Sequence, residues 1–344
     1  MSTTSQSNLV KRRTQPDEPP FDDVDDASLD SRMQRVHTKS QDSAPVKKQR
    51  VYTKRQDSAL VKAFRFIGSV IWVLLITTGM WLAAPVTFVI GPVLRTFKVR
   101  KYYYPLELLS RAWAWGVLWI NDIDITVEGG HLPVECEGKS TILMYSHASN
   151  VDPITLMGYT QNPSKFIFKK ELLYFVPYVF AIGMIMGHIP INRKKRQSAF
   201  ESIDIAAAKV KDYKACVVIS PEGTRSNDGI LQPFKKGPFH MALKSGARIA
   251  PVVLFGNHEV WPTSSLLPSS GSVYVRYLPS FEIGEKDDID SLLEKTYEMM
   301  HGALVTPPEG FEPHKKGCQI GHAAIFLSIC SCVGVAIANY FGFF

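Results

Sequence analysis

Thr141-Ile142-Leu143-Met144-Tyr145-Ser146-His147-Ala148-Ser149-Asn150-Val151-Asp152-Pro153 is the stretch that decides the fold. An unbroken apolar run ends at Tyr145 and a short polar turn follows. A helical pattern then opens at Val151, with Pro153 placed where the first turn of a helix tolerates it. This is one strand-to-helix unit. Outward from it the same alternation recurs. Ile123, Ile125 and Val127 alternate as a strand, and Phe166 to Phe168, Ala215 to Ser220, Ile249 to Phe255 and Val273 to Tyr277 are short apolar runs between turn residues. Helical segments lie among them at Val151 to Tyr159, Leu172 to Met186, Ala199 to Lys211, Pro238 to Lys244 and Ile289 to Leu304. Strands alternating with helices predict an α/β protein, an open mixed sheet with helices on its faces, over residues 121–310.

The flanks have a different character. Asp17 to Asp30 holds seven acidic residues and no basic one, whereas Arg32 to Arg65 holds ten basic residues and two acidic. Too few apolar residues are present to offset the entropy of ordering, so residues 1–65 read as a disordered charged tail. The tail contains a repeat of period 15, in which Gln34 to Ala44 returns as Gln49 to Ala59. It reads either as a duplicated linker or as a basic strip for anionic lipid headgroups.

Phe66 to Leu94 then runs 29 residues without a charge. A straight helix of that length would be about 44 Å, longer than a hydrocarbon core. Pro85, Gly91 and Pro92 argue against one straight span, and basic residues on both sides favour a segment that enters the membrane and returns. Leu106 to Ile120, with Trp113, Trp115 and Trp119, suits either the headgroup level or a helix of the core. Residues 66–120 are thus expected to be N-terminal membrane-embedded helices. Ile320 to Phe344 has no Lys, Arg, Asp or Glu and reads as a C-terminal apolar helix, long enough to cross.

Composition narrows the function. With 39 Lys/Arg against 32 Asp/Glu the formal charge is +7, but the excess sits in the tail and beside apolar segments. Membrane is therefore a better partner than nucleic acid. Five cysteines without a C-x-x-C pair suggest free thiols in a reducing compartment, and no metal site. Phosphate-loop, dinucleotide, zinc-protease and nucleophile-elbow motifs are absent.

Three clusters carry chemistry. His147 and Asp152 place an imidazole and a carboxylate at one strand-to-helix turn. They suit a general base whose tautomer the carboxylate fixes, although alone they also read as a loop histidine and a helix cap. Ser220-Pro221-Glu222-Gly223-Thr224-Arg225-Ser226 follows another strand, where open α/β sheets bind ligands. Its Gly223 permits close backbone approach, and Arg225 offers a planar fork for phosphate, the plain alternative being a turn with a surface arginine. Lys169 and Arg193 add positive charge near the third cluster, Phe166 to Leu172 and Ile189 to Arg193.

Together these elements resemble the glycerolipid acyltransferase family that includes 1-acylglycerol-3-phosphate acyltransferases. His147 and Asp152 match its His-x4-Asp motif. Lys169, Glu171, Leu172, Asn192 and Arg193 match its second motif, residues 221–226 its Pro-Glu-Gly-Thr-Arg-Ser, and Pro251 its fourth. Ser146 and Ser220 depart from the family's usual Asn and Phe without removing a reacting group. The resemblance covers roughly residues 100–280. It implies acyl transfer from acyl-CoA, as co-substrate and with no cofactor, to the sn-2 hydroxyl of lysophosphatidic acid. His147 and Asp152 would be catalytic, and Glu222, Gly223, Thr224, Arg225, Lys169 and Arg193 would bind substrate. Glycerol-3-phosphate or another lysophospholipid is the alternative acceptor, and a non-catalytic membrane scaffold the alternative class. The expected setting is a phospholipid membrane, in the endoplasmic reticulum, with the site facing the cytosol.

Overall fold

The computed structural model describes residues 57–96, 105–128, 139–160, 164–192, 196–213, 216–313 and 321–340. Every apolar run read as a strand is one: β1 Ile123–Glu128, β2 Thr141–Tyr145, β3 Ser164–Lys169, β5 Cys216–Ile219, β6 Arg248–Phe255 and β7 Gly271–Tyr277. β4, Ile189–Ile191, is the addition. Three residues with a proline in the middle give no readable alternation, and such a strand belongs at a sheet edge, where β4 lies.

The sheet order is β1-β7-β6-β2-β5-β3-β4. All neighbours pair parallel except β6 and β7, so the sheet is mixed. β2 lies near the middle, flanked by β5 and β6. Leu143, Val218, Ala250, Val252, Val273 and Val275 point to one face and are buried with helix residues Leu118, Val151 and Leu156. Ile142, Met144, Val217, Ile219 and Val253 alternate with them toward the other face, and are also buried. Burial on both faces is why the central strands read as continuous apolar runs.

The helices, in chain order, are α1 Ala59–Thr96, α2 Pro105–Ile120, α3 Val151–Tyr159, α4 Leu172–Phe175, α5 Pro177–Ile185, α6 Arg196–Tyr213, α7 Gly237–Ser245, α8 Asn257–Val260, α9 Ile289–Leu304 and α10 Gly321–Tyr340. Pro177, without an N–H, splits the helix expected over Leu172 to Met186 into α4 and α5. α9 begins with a reciprocal Asp288–Ser291 capping box and packs against β6 and α7.

Two expectations at the N-terminal side need correction. Most of the charged tail and both copies of its repeat up to residue 56 lie outside the described residues. The expected tail boundary at residue 65, however, cuts through the fold. Asp57 and Arg65 are buried, Arg65 Nη1 donates to Asp57 Oδ2 at 2.8 Å, and Ser270 N donates to the same oxygen at 2.8 Å. Nor do Pro85, Gly91 and Pro92 interrupt the apolar segment: α1 is one helix of 38 residues, about 57 Å. Met80 and Ala84, just before Pro85, pack against Leu106 and Ile182. The return leg is α2, which runs antiparallel to α1. Asn121 Nδ2 donates to Ser69 Oγ at 2.8 Å at one end, and Leu106 meets Met80 at the other. α2 is a helix of the core, since Leu118 is buried on the sheet, yet Trp115 and Trp119 remain exposed.

Among the described residues one helix, Ala59–Thr87, is long and apolar enough to cross a membrane. The apolar stretch His322–Val335 in α10 is shorter, and α10 packs on the hairpin, its Phe326 ring edge-on to Trp72.

Candidate active site

β2 changes partners from β5 to β6 on its two sides, and the loops leaving the carboxyl ends of these three parallel strands meet. Such a crevice is where open α/β sheets place their ligands. β2 delivers His147, β5 delivers Glu222 and β6 delivers Asn257. The strand register puts Met144 opposite Ile219 and Tyr145 opposite Val252, so β2 and β5 end within one residue of each other while β6 runs three residues further, to Phe255.

Asp152 is fully buried in the first turn of α3 and accepts four hydrogen bonds. Its Oδ2 takes them from Ala148 N at 2.9 Å, Ser149 N at 2.8 Å and His147 Nδ1 at 2.9 Å. Its Oδ1 takes one from Asn257 Nδ2 at 2.8 Å. Asn150, not Asp152, occupies the cap position of α3, so the capping alternative does not describe this carboxylate. Three backbone or amide donors keep Asp152 an acceptor, which makes His147 Nδ1 the donor of their shared bond. The lone pair of the neutral ring is then on Nε2. The His147 side chain is 17% exposed, enough for a small group to reach it.

His147 is also tied through its backbone. Its N–H donates to Glu222 Oε1 at 2.6 Å, and its carbonyl accepts from Ser226 N at 2.7 Å. Glu222, 2% exposed, accepts at Oε2 from Gln232 N at 2.9 Å. Its carboxyl is pushed up to about 8, chiefly by burial and further by Asp152 and Asp228, against the pull of those two N–H donors. Glu222 therefore ties its own loop to the loop carrying His147.

Thr224 and Arg225 are exposed at the rim, and Arg225 Nη1 donates to Asn150 Oδ1. Gly223 has φ +73°, a turn that strains any residue with a Cβ. Lys169 ends β3; with Phe166 opposite Val218, it stands level with Pro221, two strands from the β2 that carries His147, and it is exposed. Arg193 lies outside the described residues. A small open cleft lies beside His147, lined in part by Ser146, His147, Glu222, Leu231, Leu254 and Asn257.

Sequence reasoning missed Asn257. It lies two residues past β6, and Gly256 before it has φ +76°, where a Cβ would stand 2.4 Å from the Ser272 carbonyl oxygen. The rule that singled out the loops after β2 and β5 applies equally to the loop after β6. What was lacking was knowledge that β6 is the other neighbour of β2.

The site is thus a buried carboxylate orienting a part-exposed imidazole, at the carboxyl ends of the central strands of a mixed α/β sheet. The sequence profile of the acyltransferase family matches residues 124–255. A 1-acyl-sn-glycerol-3-phosphate acyltransferase of Borreliella burgdorferi is 31% identical over 182 residues, 51% of this chain and 71% of that protein. Enzymes of the same name from Cocos nucifera (32% over 198 residues) and Limnanthes douglasii (30% over 185 residues) match 57% and 53% of this chain. The chain spans 62% and 64% of those two proteins' lengths. The crystal structure of the 1-acyl-sn-glycerophosphate acyltransferase from Thermotoga maritima has the same fold, with a TM-score of 0.51 and 22% identity, covering 69% of this chain and 96% of that one. This chain belongs to the acyltransferase family.

Proposed function

We propose that the protein transfers a fatty acyl group from a thioester donor, acyl-CoA, to the sn-2 hydroxyl of lysophosphatidic acid, giving phosphatidic acid. The observation that carries this reading is the His147–Asp152 pair, with Asp152 buried under four donors. Nε2 of His147 takes the proton of the acceptor hydroxyl as its oxygen attacks the thioester carbonyl. Asp152 stabilises the imidazolium that forms. The C–S bond then breaks, and the leaving thiolate takes the proton from Nε2. Both substrates are held together and no acyl-enzyme is required. Arg225, at the rim and free to swing from Asn150, is the group for the acceptor phosphate, with Lys169 and Arg193 as further candidates. Gly223 and Thr224 shape the same rim. Glu222 holds the backbone of His147 in place.

The relatives' shared name favours lysophosphatidic acid over glycerol-3-phosphate. The membrane setting is supported by α1, which is apolar over Ala59–Thr87 and mostly uncovered. Its first turns are rooted in the catalytic body through Arg65 and Asp57, which favours residue 57 and His147 on one side of the membrane, the cytosolic side of the endoplasmic reticulum. The test is labelled acyl-CoA and acyl-carrier protein offered in turn to the purified protein with lysophosphatidic acid, glycerol-3-phosphate and a choline lysophospholipid. Turnover with acyl-CoA and lysophosphatidic acid is expected. Turnover confined to another acceptor, to the carrier-protein donor, or to none would replace the reading accordingly.

A further inference from the structure

A helix that is apolar on all sides lies either inside a core or in lipid. α5, Pro-Tyr-Val-Phe-Ala-Ile-Gly-Met-Ile, is such a helix, and it does neither wholly within the protein. Ile182 packs against α1 and α2, but the opposite side is bare. At its start the turn from α4 projects Phe175, 81% exposed, and Tyr174, 74% exposed, with Val176 and Tyr178 exposed beside them. Aromatic side chains this exposed in one patch mark a contact surface rather than ordinary scatter.

Two observations say what covers it. The patch is continuous with α1: Tyr178 Oη pairs with Thr78 Oγ1 at 2.8 Å, Trp81 Nε1 donates to the Tyr178 carbonyl at 3.1 Å, and the two rings stack. Lys169 and Lys170, both exposed, lie at the carboxyl end of β3, just before α4 in the chain. Apolar tips next to amphipathic tyrosines next to ammonium groups is the order of chemistries met on passing from acyl chains to headgroup phosphates.

We propose that the Tyr174-Phe175-Val176 turn is a second lipid contact, separate from α1, that inserts into the interfacial layer of a phospholipid bilayer and holds the edge of the catalytic crevice against it. The inference rests on the membrane setting proposed above. β3 ends level with the loop carrying Glu222, so a bilayer engaged by this turn lies alongside the crevice, where a single-chain phospholipid can pass into it without crossing water.

The test uses the full chain in phosphatidylcholine/phosphatidylserine vesicles. Phe175→Trp places an indole at the tip, and Leu82→Trp places one on the bare side of α1. Each is read as the difference from the parent protein's emission, with lipids brominated along the acyl chain and with aqueous iodide. Phe175 is so exposed that its replacement leaves folding unchanged. The expected result is quenching of the Phe175→Trp signal at least twofold by shallow bromines and little by iodide, with Leu82→Trp also quenched by bromines. Bromine quenching at Leu82→Trp but iodide quenching at Phe175→Trp overturns the second contact and leaves the membrane setting standing. A Phe175→Trp signal reached by neither quencher points to a protein partner and also overturns it. No bromine quenching at either position removes the membrane setting itself.

Discussion

Replacing Glu222 with Gln tests whether this residue holds His147 or holds substrate. In the fold both carboxyl oxygens are acceptors, one for His147 N at 2.6 Å and one for Gln232 N at 2.9 Å. A carboxamide has one acceptor oxygen, so one of the two N–H groups faces an NH2 instead. A buried donor left unsatisfied costs about 1–3 kcal/mol. Expressed at the His147 backbone, that is a loss of about tenfold to a hundredfold in kcat, with the acceptor KM nearly constant. A second consequence concerns pH. The Glu222 carboxyl is raised from 4.5 to about 8 in the fold. The folded state keeps its proton where the unfolded chain has lost it. The stability it supplies is complete below pH 4.5 and is lost as pH rises toward 8. At about 1.4 kcal/mol per pH unit the loss is on the order of 4–5 kcal/mol, which the Gln variant, having nothing to titrate, does not show. Steady-state kinetics and thermal unfolding in detergent between pH 5 and 9 measure both effects. A variant whose acceptor KM rises while kcat holds, and whose stability follows pH as the wild type does, would refute this reasoning and return Glu222 to the substrate.

His147→Ala is expected to lower kcat and kcat/KM together by about 10²–10⁴-fold, and Asp152→Asn by a comparable factor through the wrong tautomer; near-normal turnover in single-substrate series of either variant removes the general-base assignment. Arg225→Ala is expected to raise the acceptor KM while leaving that for the thioester unchanged, with only partial recovery in Arg225→Lys because an ammonium lacks the planar fork; equal effects on both KM values would contradict it. Asn257→Asp sets a second carboxylate 2.8 Å from Asp152 Oδ1, so the acid limb of the kcat–pH profile should move to higher pH. The neutral Asn257→Ala should lower activity without that movement, and superimposable limbs in all three enzymes would show that Asn257 does not hold Asp152.

Sequence by itself determined every strand but β4, because a strand buried on both faces reads as an apolar run, as β2 does from Ile142, β5 throughout and β6 from Ile249. It located α3 and α9 to the residue, because the polar turn before one, with Pro153 in its first turn, and the amphipathic period of the other are local signals. It brought out His147, Asp152 and the 221–226 loop, because each follows a strand and carries residue types with recognisable chemistry. Tertiary structure alone decided the rest. The neighbours of β2 are set by crossovers that no local pattern encodes, and those neighbours bring Asn257 to Asp152 and Glu222 to the backbone of His147. Only the tertiary structure shows that Glu222 is buried and accepts from the backbone of His147. Pro85, Gly91 and Pro92 read as breaks because propensity is a property of the isolated helix. α1 nevertheless continues through them as one helix, packed on α2 and α5 through Met80 and Ala84 just before Pro85.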